Sequence, residues 1–484
     1  MILALLILIP AAGGLAGFSI TQVFLRRTLL IVTAVAHTAL TASCWVYHPD
    51  SILYGWLALD SAGLLFMTVS SILFLAASIY ALGYLKHEPK EQQDSDEGFF
   101  FTNTPENIFI GCLHFFLSTM TLVCLSQHFG MLWVAIEATT LASAPLIYFH
   151  RHHRSLEATW KFVLICSVGI GLALLGTLML TVSASTIKNN LMLSALLDNS
   201  NLIDSSWLKA AFLLFIVGYG TKMGLAPMHT WLPGAHSESP SLVSALLSGA
   251  LLNCSFLGIL RLHQVCVFAG QSGFSCNLLI YFGLFSMAVA AFFIVAQKDF
   301  KRMLAYSSVE HMGILSLGVG LGGTAVFASM YHLINHSLTK GMLFLAAGNI
   351  IACYKTRTSS DVKGILKRIP ATGVLWTAGL FSIAGFPPFG LFVSEFTIFK
   401  TAFDQGHFFI CAIYLALLAA IFAGMAHIML NMSQGDSGAS EEKESALAII
   451  PPAILGVGTL ILGLYIPNFL LNVLNEISAI FGAL

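Results

Sequence analysis

The sequence predicts an all-α membrane protein of about fourteen transmembrane helices, built as two inverted five-helix repeats with the seventh and twelfth spans broken. Three observations carry that expectation. Hydrophobic residues make up 57% of the 484 and charged residues 9%, against roughly 25% charged in soluble domains, and the mean hydropathy is +0.85. Apolar runs of bilayer length recur from end to end with short polar connections between them. Two of those runs carry prolines near their centres, beside a charge.

A window of about 19 residues places spans at 2–21, 28–46, 61–85, 107–126, 129–149, 159–184, 207–230, 240–262, 276–296, 303–321, 325–353, 371–403, 407–431 and 446–468. The N-terminal MILALLILIPAAGGLAGF lacks the cationic n-region of a signal peptide, so it is expected as a retained first helix. Sizeable polar connections fall at 86–100, 185–206, 354–370 and 433–445; none is long enough for a soluble domain, and none carries a nucleotide or flavin fingerprint. Nine scattered cysteines without a CxxC pair suit packing better than a cluster or structural zinc, so no cofactor or metal site is expected. With 22 Lys+Arg against 23 Asp+Glu and no basic block, a nucleic-acid partner is not expected either.

Cationic residues sort by connection. Arg26, Arg27, Lys86, Lys90, Arg151, Arg154, Lys298, Lys301, Arg302, Lys355, Arg357, Lys363, Lys367, Arg368 and Lys443 follow odd-numbered spans, whereas Lys188, Lys209, Arg261 and Lys400 fall on the other side. The positive-inside rule then puts the odd connections in the cytoplasm and both termini outside.

In the seventh span, GYGTKMGLAPMHTWLPGA sets Pro227 and Pro233 beside Lys222; in the twelfth, FSIAGFPPFGLFVSEF sets Pro387 and Pro388 ahead of Glu395. Proline removes a backbone donor and clashes with the preceding turn, so both helices should unwind. Unwound backbone at membrane depth survives where it lines a cavity or is buried in protein. The breaks lie five spans apart, and an odd offset reverses orientation. Spans four to eight (107–262) and nine to thirteen (276–431) therefore read as an inverted repeat, with a three-helix segment before them (1–106) and a C-terminal helix after (446–484).

Charges inside such spans mark an ion pathway, since an acid or lysine at mid-depth costs about 2.5–3.5 kcal/mol even on a lenient scale. Glu137, Lys222 and Glu395 are of this kind. His332, His336 and Lys340 follow one another at spacings of four, which stacks them on one helix face and makes a proton relay geometrically possible. Glu310 and His311 are adjacent, so they point to different sides, and Glu310 is open to a helix-docking role. Arg151, His152, His153 and Arg154 read as a basic turn at the membrane edge, Arg261 as the end of the eighth span facing the interface, and Asp299, Lys301 and Arg302 as a connection open to a neighbouring subunit.

WVAIEATTLASAPLI, KMGLAPMHTWLPGAHSESPSLVSALLSG, DFKRMLAYSSVEHMG, INHSLTKGMLFLAAG and GFPPFGLFVSEF resemble, in order, the signatures of the antiporter-like membrane subunits of respiratory complex I, membrane-bound hydrogenases and multisubunit cation/proton antiporters. The SSVEHMG stretch, the LLN at 251–253 and the GFPPFG break are most similar to the hydrogenase-4 component F group. The resemblance implies a fourteen-helix proton-translocating subunit of a hydrogenase-type or complex-I-like oxidoreductase in a bacterial inner membrane. Its partners would be other membrane subunits and, through them, a peripheral redox arm. It implies an ion pair between Glu137 and Lys222, a central-axis place for His311 and an exit-side place for Glu395; it also accounts for His229 and His236 beside the seventh-span break. A structural ion pair docking two helices is the alternative for Glu137 and Lys222, and a salt bridge to Lys340, Lys400 or a partner subunit the alternative for Glu395. Asn253 departs from complex I subunits, where a lysine often relays the proton; asparagine hydrogen-bonds but does not titrate, so water or a histidine would fill the step, or Asn253 ties two helices together. Sodium/proton exchange, or a membrane scaffold for a soluble partner, remain the alternative functions.

Overall fold

The computed structural model describes residues 1–88, 91–93, 100–435 and 440–481. Lys90 lies outside the described residues, as do parts of the 86–100 and 433–445 connections and the last three residues.

The chain begins with α1 (Ile2–Ser19), α2 (Val23–Ser43) and α3 (Ser61–His87). A two-stranded antiparallel ribbon, β1 (Glu91–Gln93) and β2 (Phe100–Thr102), leads to α4 (Glu106–Leu125), α5 (Phe129–Ile147) and α6 (His153–Ser183). A short α7 (Leu193–Asp198) precedes α8 (Ser205–Met223), which breaks into α9 (Leu232–Glu238). Then come α10 (Ser241–Leu246), a π-helical turn (Leu247–Leu251), α11 (Leu252–Phe268), α12 (Ser272–Val295), α13 (Phe300–Leu321) and α14 (Thr324–Tyr354). After α15 (Ile365–Arg368), the second broken helix is α16 (Pro370–Ile383) and α17 (Gly390–Asp404), followed by α18 (Phe408–Ser433), α19 (Ala446–Leu464) and α20 (Asn468–Phe481).

Among the described residues the fold is helical apart from that ribbon, and 12 helical segments are long and apolar enough to cross a membrane. The expected C-terminal helix over 446–484 divides at Tyr465–Pro467, because the proline cannot continue α19. The amphipathic α20 then lays Leu470, Leu474, Ile477 and Phe481 on the protein.

Helix ends are closed by the side chains that polar edges allow. Asp60 accepts from Gly63 N at 2.9 Å to cap α3, Asp204 caps α8, Asp299 caps α13, and His128 and His152 accept from the first turns of α5 and α6. Each supplies an acceptor to donors that have no intrahelical partner. At one edge Arg27 bonds both carboxylate oxygens of Glu106 at 2.9 Å and the Leu85 carbonyl at 3.0 Å, tying the starts of α2 and α4 to the end of α3. At the opposite edge Arg261 grips Asp60 with two bonds of 3.0 and 3.1 Å and also reaches Gln127 and the Cys124 carbonyl. Arg261 thus corrects the expectation of an interface residue: α11 runs on to Phe268, and the guanidinium is buried among α3, α4 and α11.

The other charged connection also turns inward. Lys301 is buried and donates to the carbonyls of Ser237 and Ser239, while Asp299 accepts from the Ser237 hydroxyl. Arg357 joins Glu238 at 2.8 Å, so the edges of α13 and α14 clamp the end of α9. Nearby, burial and then the charges of His152, Lys301 and Arg357 push the His150 ring down to about 3, so Glu88 at 3.6 Å faces a neutral imidazole. Within the bundle α14 is the hub: from Ala325 to Gly348 nearly every side chain is buried, and α10, α13, α16, α17 and α19 pack around it.

Candidate functional site

Lys222 lies in the last turn of α8, fully buried. The helix stops there because Gly224 adopts φ +87, a left-handed conformation open to glycine. Gly224 N and Leu225 N return to the Gly220 carbonyl at 2.9 and 2.8 Å, the indole of Trp231 donates to the Thr221 carbonyl, and Ala226 N donates to Ser286 Oγ. These bonds pair the named backbone groups at the break, and the ammonium of Lys222 is directed at α5. There it donates to the Ile136 carbonyl and the Thr140 hydroxyl. Thr140 in turn donates to Glu137 Oε2 at 3.2 Å.

No ion pair joins Glu137 directly to Lys222 among the described residues. Thr140 stands between them, so the pairing implied by the resemblance is realised through a hydroxyl. Glu137 is half-buried, and its second oxygen accepts from Ser167 of α6 at 3.4 Å.

Beyond Lys222 the polar atoms continue through α10–α11. The π-helical turn carries Ser248, whose hydroxyl meets Ser308 of α13 at 2.8 Å. Asn253, one turn on, donates to the Gly249 carbonyl at 2.7 Å and to Ser337 of α14 at 2.9 Å, while its Oδ1 has no protein partner. The tie between two helices is therefore real, and it leaves one acceptor open.

Ser337 adjoins His336, and here the stripe on α14 meets α13. His311 and His336 have ring centroids 4.9 Å apart; His311 Nδ1 and His332 Nε2 are hydrogen-bonded at 2.9 Å. His332 Nδ1 continues to Ser394 Oγ of α17 at 2.9 Å, beside Glu395. The rings of His332 and His336 stack 6.4 Å apart, as a spacing of four requires. Lys340 leaves the stripe, donating to the Leu304 carbonyl at 2.7 Å and to Ser307.

Glu395 is buried beneath the second break. Gly385, at φ +64, passes so close that a Cβ on it would lie 2.0 Å from the Glu395 carboxylate. Neither expected lysine pairs with this acid: Lys340 is held by α13, and Lys400 pairs with Asp404 at 2.9 Å. Glu395 Oε1 and Glu310 Oε2 both lack a protein partner, and Glu310 lines a small cavity with Ile383, Ala384, Ile421 and Met425 rather than docking two helices. His229 packs against Phe293 and Tyr306, and His236 stacks on Phe344 with both ring nitrogens free of protein partners.

The structure thus gathers these residues into two groups, Glu137 and Lys222 joined through Thr140, and His336, His311, His332 and Glu395 from α13, α14 and α17, with Lys340 to one side. Thr140, Ser337 and Ser394 are the members that sequence reasoning missed. Their signal was present only as hydroxyls three residues after Glu137, one after His336 and one before Glu395.

The chain is similar to known membrane proteins over most of its length. Residues 126–422 match the family described as NADH:quinone oxidoreductase/Mrp antiporter, transmembrane. The hydrogenase-4 component F homolog of Methylacidiphilum infernorum is 34% identical over 388 residues, covering 78% of this chain and 80% of that protein. NADH-quinone oxidoreductase subunit N of Desulforudis audaxviator is 28% identical over 462 residues, covering 91% and 89%. A chain of the membrane-bound sulfane sulfur reductase, an archaeal respiratory membrane complex, superposes with a TM-score of 0.87 at 20% identity, covering 99% of this chain and 97% of that one. The family match spans more than half of the chain and the first relative is 34% identical over most of its length, so the chain belongs to the NADH:quinone oxidoreductase/Mrp antiporter transmembrane family.

Proposed function

We propose that this chain is the proton-translocating membrane subunit of a hydrogenase-type or complex-I-like respiratory assembly in a bacterial cytoplasmic membrane. The observation that carries the reading is a pair of polar groupings inside the bundle: Glu137, Thr140 and Lys222 joined by hydrogen bonds, and His336, His311, His332 and Glu395 drawn together by α13, α14 and α17. A soluble fold would have no use for so many buried titratable groups without ion-pair partners, and in a membrane their cost is justified by ion passage.

In this reading fourteen segments cross: the 12 apolar ones, the more polar α13, and α16 with α17 as one broken span. Residues 107–262 and 276–431 form two units of opposite orientation, each broken at its fourth helix, which suits sites at mid-membrane. The cation-rich edge faces the cytoplasm and both termini lie outside. Protons enter near Glu137, wait on Lys222 and leave past Glu395, while partner subunits with the redox centres supply the energy electrostatically. Glu137 is half-buried in the isolated chain, a position suited to being covered by an adjacent membrane subunit.

The family also contains antiporter subunits, so sodium/proton exchange is the competing function. Mass spectrometry of the purified assembly identifies the partners. Reconstituted into vesicles under an imposed potential, the assembly should move protons equally well with choline in place of sodium. Strict sodium dependence would favour the exchanger, and an intact assembly that moves no protons would overturn the proposal.

A further inference from the structure

We propose that His311, His332 and Glu395 form a binding site for a borderline divalent cation such as zinc, and that its occupation arrests proton passage through the second half of the chain. The three side chains come from α13, α14 and α17, all are buried, and one potential ligand atom from each lies within 4.8 Å of the others. Two of the three also carry an atom without a protein partner, His311 Nε2 and Glu395 Oε1.

The donor set selects the ion. Two imidazole nitrogens and one carboxylate are the ligands that zinc takes when it keeps a fourth position for water. Calcium and magnesium call for shells of six or more oxygens, and an alkali cation gains little from neutral imidazoles. Bonds of about 2.0–2.2 Å separate tetrahedral ligand atoms by roughly 3.4 Å, so the cluster must close by about an ångström or slightly more. Both nitrogens of His332 are already hydrogen-bonded, so binding through this ring must release either its bond to His311 Nδ1 or its bond to Ser394 Oγ, because a nitrogen lone pair held by the metal can no longer take part in a hydrogen bond.

The site stands on geometry alone; the arrest rests on the proton reading of the preceding subsection. Purified intact assembly is titrated with zinc, bound metal is counted after equilibrium dialysis, and the zinc X-ray absorption edge reports the ligands. Wild type and His427→Gln, which removes an exposed histidine on α18, should hold one zinc per subunit more than His332→Asn and Glu395→Gln, or the same zinc at least about tenfold more tightly. The wild-type spectrum should show imidazole nitrogen with one oxygen-type ligand, a reading that holds even if a variant fails to assemble. Equal zinc in wild type and His332→Asn, or a spectrum without imidazole, would overturn the site. Zinc bound with these ligands while vesicle proton flux is unchanged would leave the site in place and overturn the arrest, and with it the route past His332.

Discussion

The ammonium of Lys222 rests on the hydroxyl of Thr140, and that hydroxyl points its own proton at Glu137. An acid and a base separated by one rotatable donor need not part for the link to break. A rotation of Thr140 about its Cα–Cβ bond is enough, and the buried ammonium then loses its indirect contact with the carboxylate. The ammonium would keep its bond to the Ile136 carbonyl, so rotation of the hydroxyl alone separates it from the acid.

Thr140→Val should therefore keep the shape of α5 and lower proton flux in reconstituted vesicles by about tenfold or more, on the scale of a lost proton-transfer partner. Thr140→Ser should retain most of it. Equal flux in Val and Ser variants would show that the hydroxyl is a passive filler.

Glu137→Gln and Lys222→Met each remove one charge of the linked pair. Both should assemble normally, because each position retains a side chain of similar size, and both should abolish proton movement. Wild-type pumping by either would remove the first half from the pathway.

At the second break, Glu395→Gln should assemble and lose most translocation, whereas Glu395→Asp should keep part by retaining a titratable group on a shorter arm. Gly385→Ala probes the same carboxylate from the backbone: the new methyl meets Glu395 at 2.0 Å, and the left-handed conformation adds about 1–2 kcal/mol. Its flux should fall with Glu395→Gln, measured beside assembly yield. Wild-type transport in well-assembled Gln and Asp variants would leave the exit to the histidines.

Arg261→Leu should harm assembly rather than transport. It strips Asp60 of two bonds and Gln127 of one; removing one partner of a buried pair costs about 3–5 kcal/mol, and the partial exposure of Asp60 puts this case at the lower end. Thermal aggregation of the extracted protein reads the loss, and normal stability would show that Gln127 and solvent replace the guanidinium.

A cysteine placed at 441 should react with an impermeant reagent only once the inner face is opened, and one at 466 from outside. The reverse pattern would invert the assignment of every connection.

The long apolar helices, both helix breaks and the charges of Glu137, Lys222 and Glu395 within helices were legible because each depends on local signals: apolar length, a proline, a charge where none belongs. Thr140 was not, since a threonine in a helix usually bonds its own backbone and nothing local says that a lysine 82 residues later will use it. Arg261 was misread because its partner Asp60 is 201 residues away. The grouping of His311, His332 and Glu395 was equally invisible, because its members come from three spans and share no ligand spacing. The division at Tyr465–Pro467 was signalled by its proline, but the apolar run on either side masked it.

The wide turn at Leu247–Leu251 sets the rotational phase between α10 and α11. A helix advances about 100° per residue, so a coil of this type acts as a one-residue clutch between two stretches that would otherwise share a single stripe. Deleting one residue there would restore an ordinary spiral and leave Asn253 facing Ser337, whereas tightening the turn without a deletion would swing Asn253 by roughly a quarter turn away from it. The contact between α11 and α14 is thus encoded in the length of a segment as much as in the identity of its side chains.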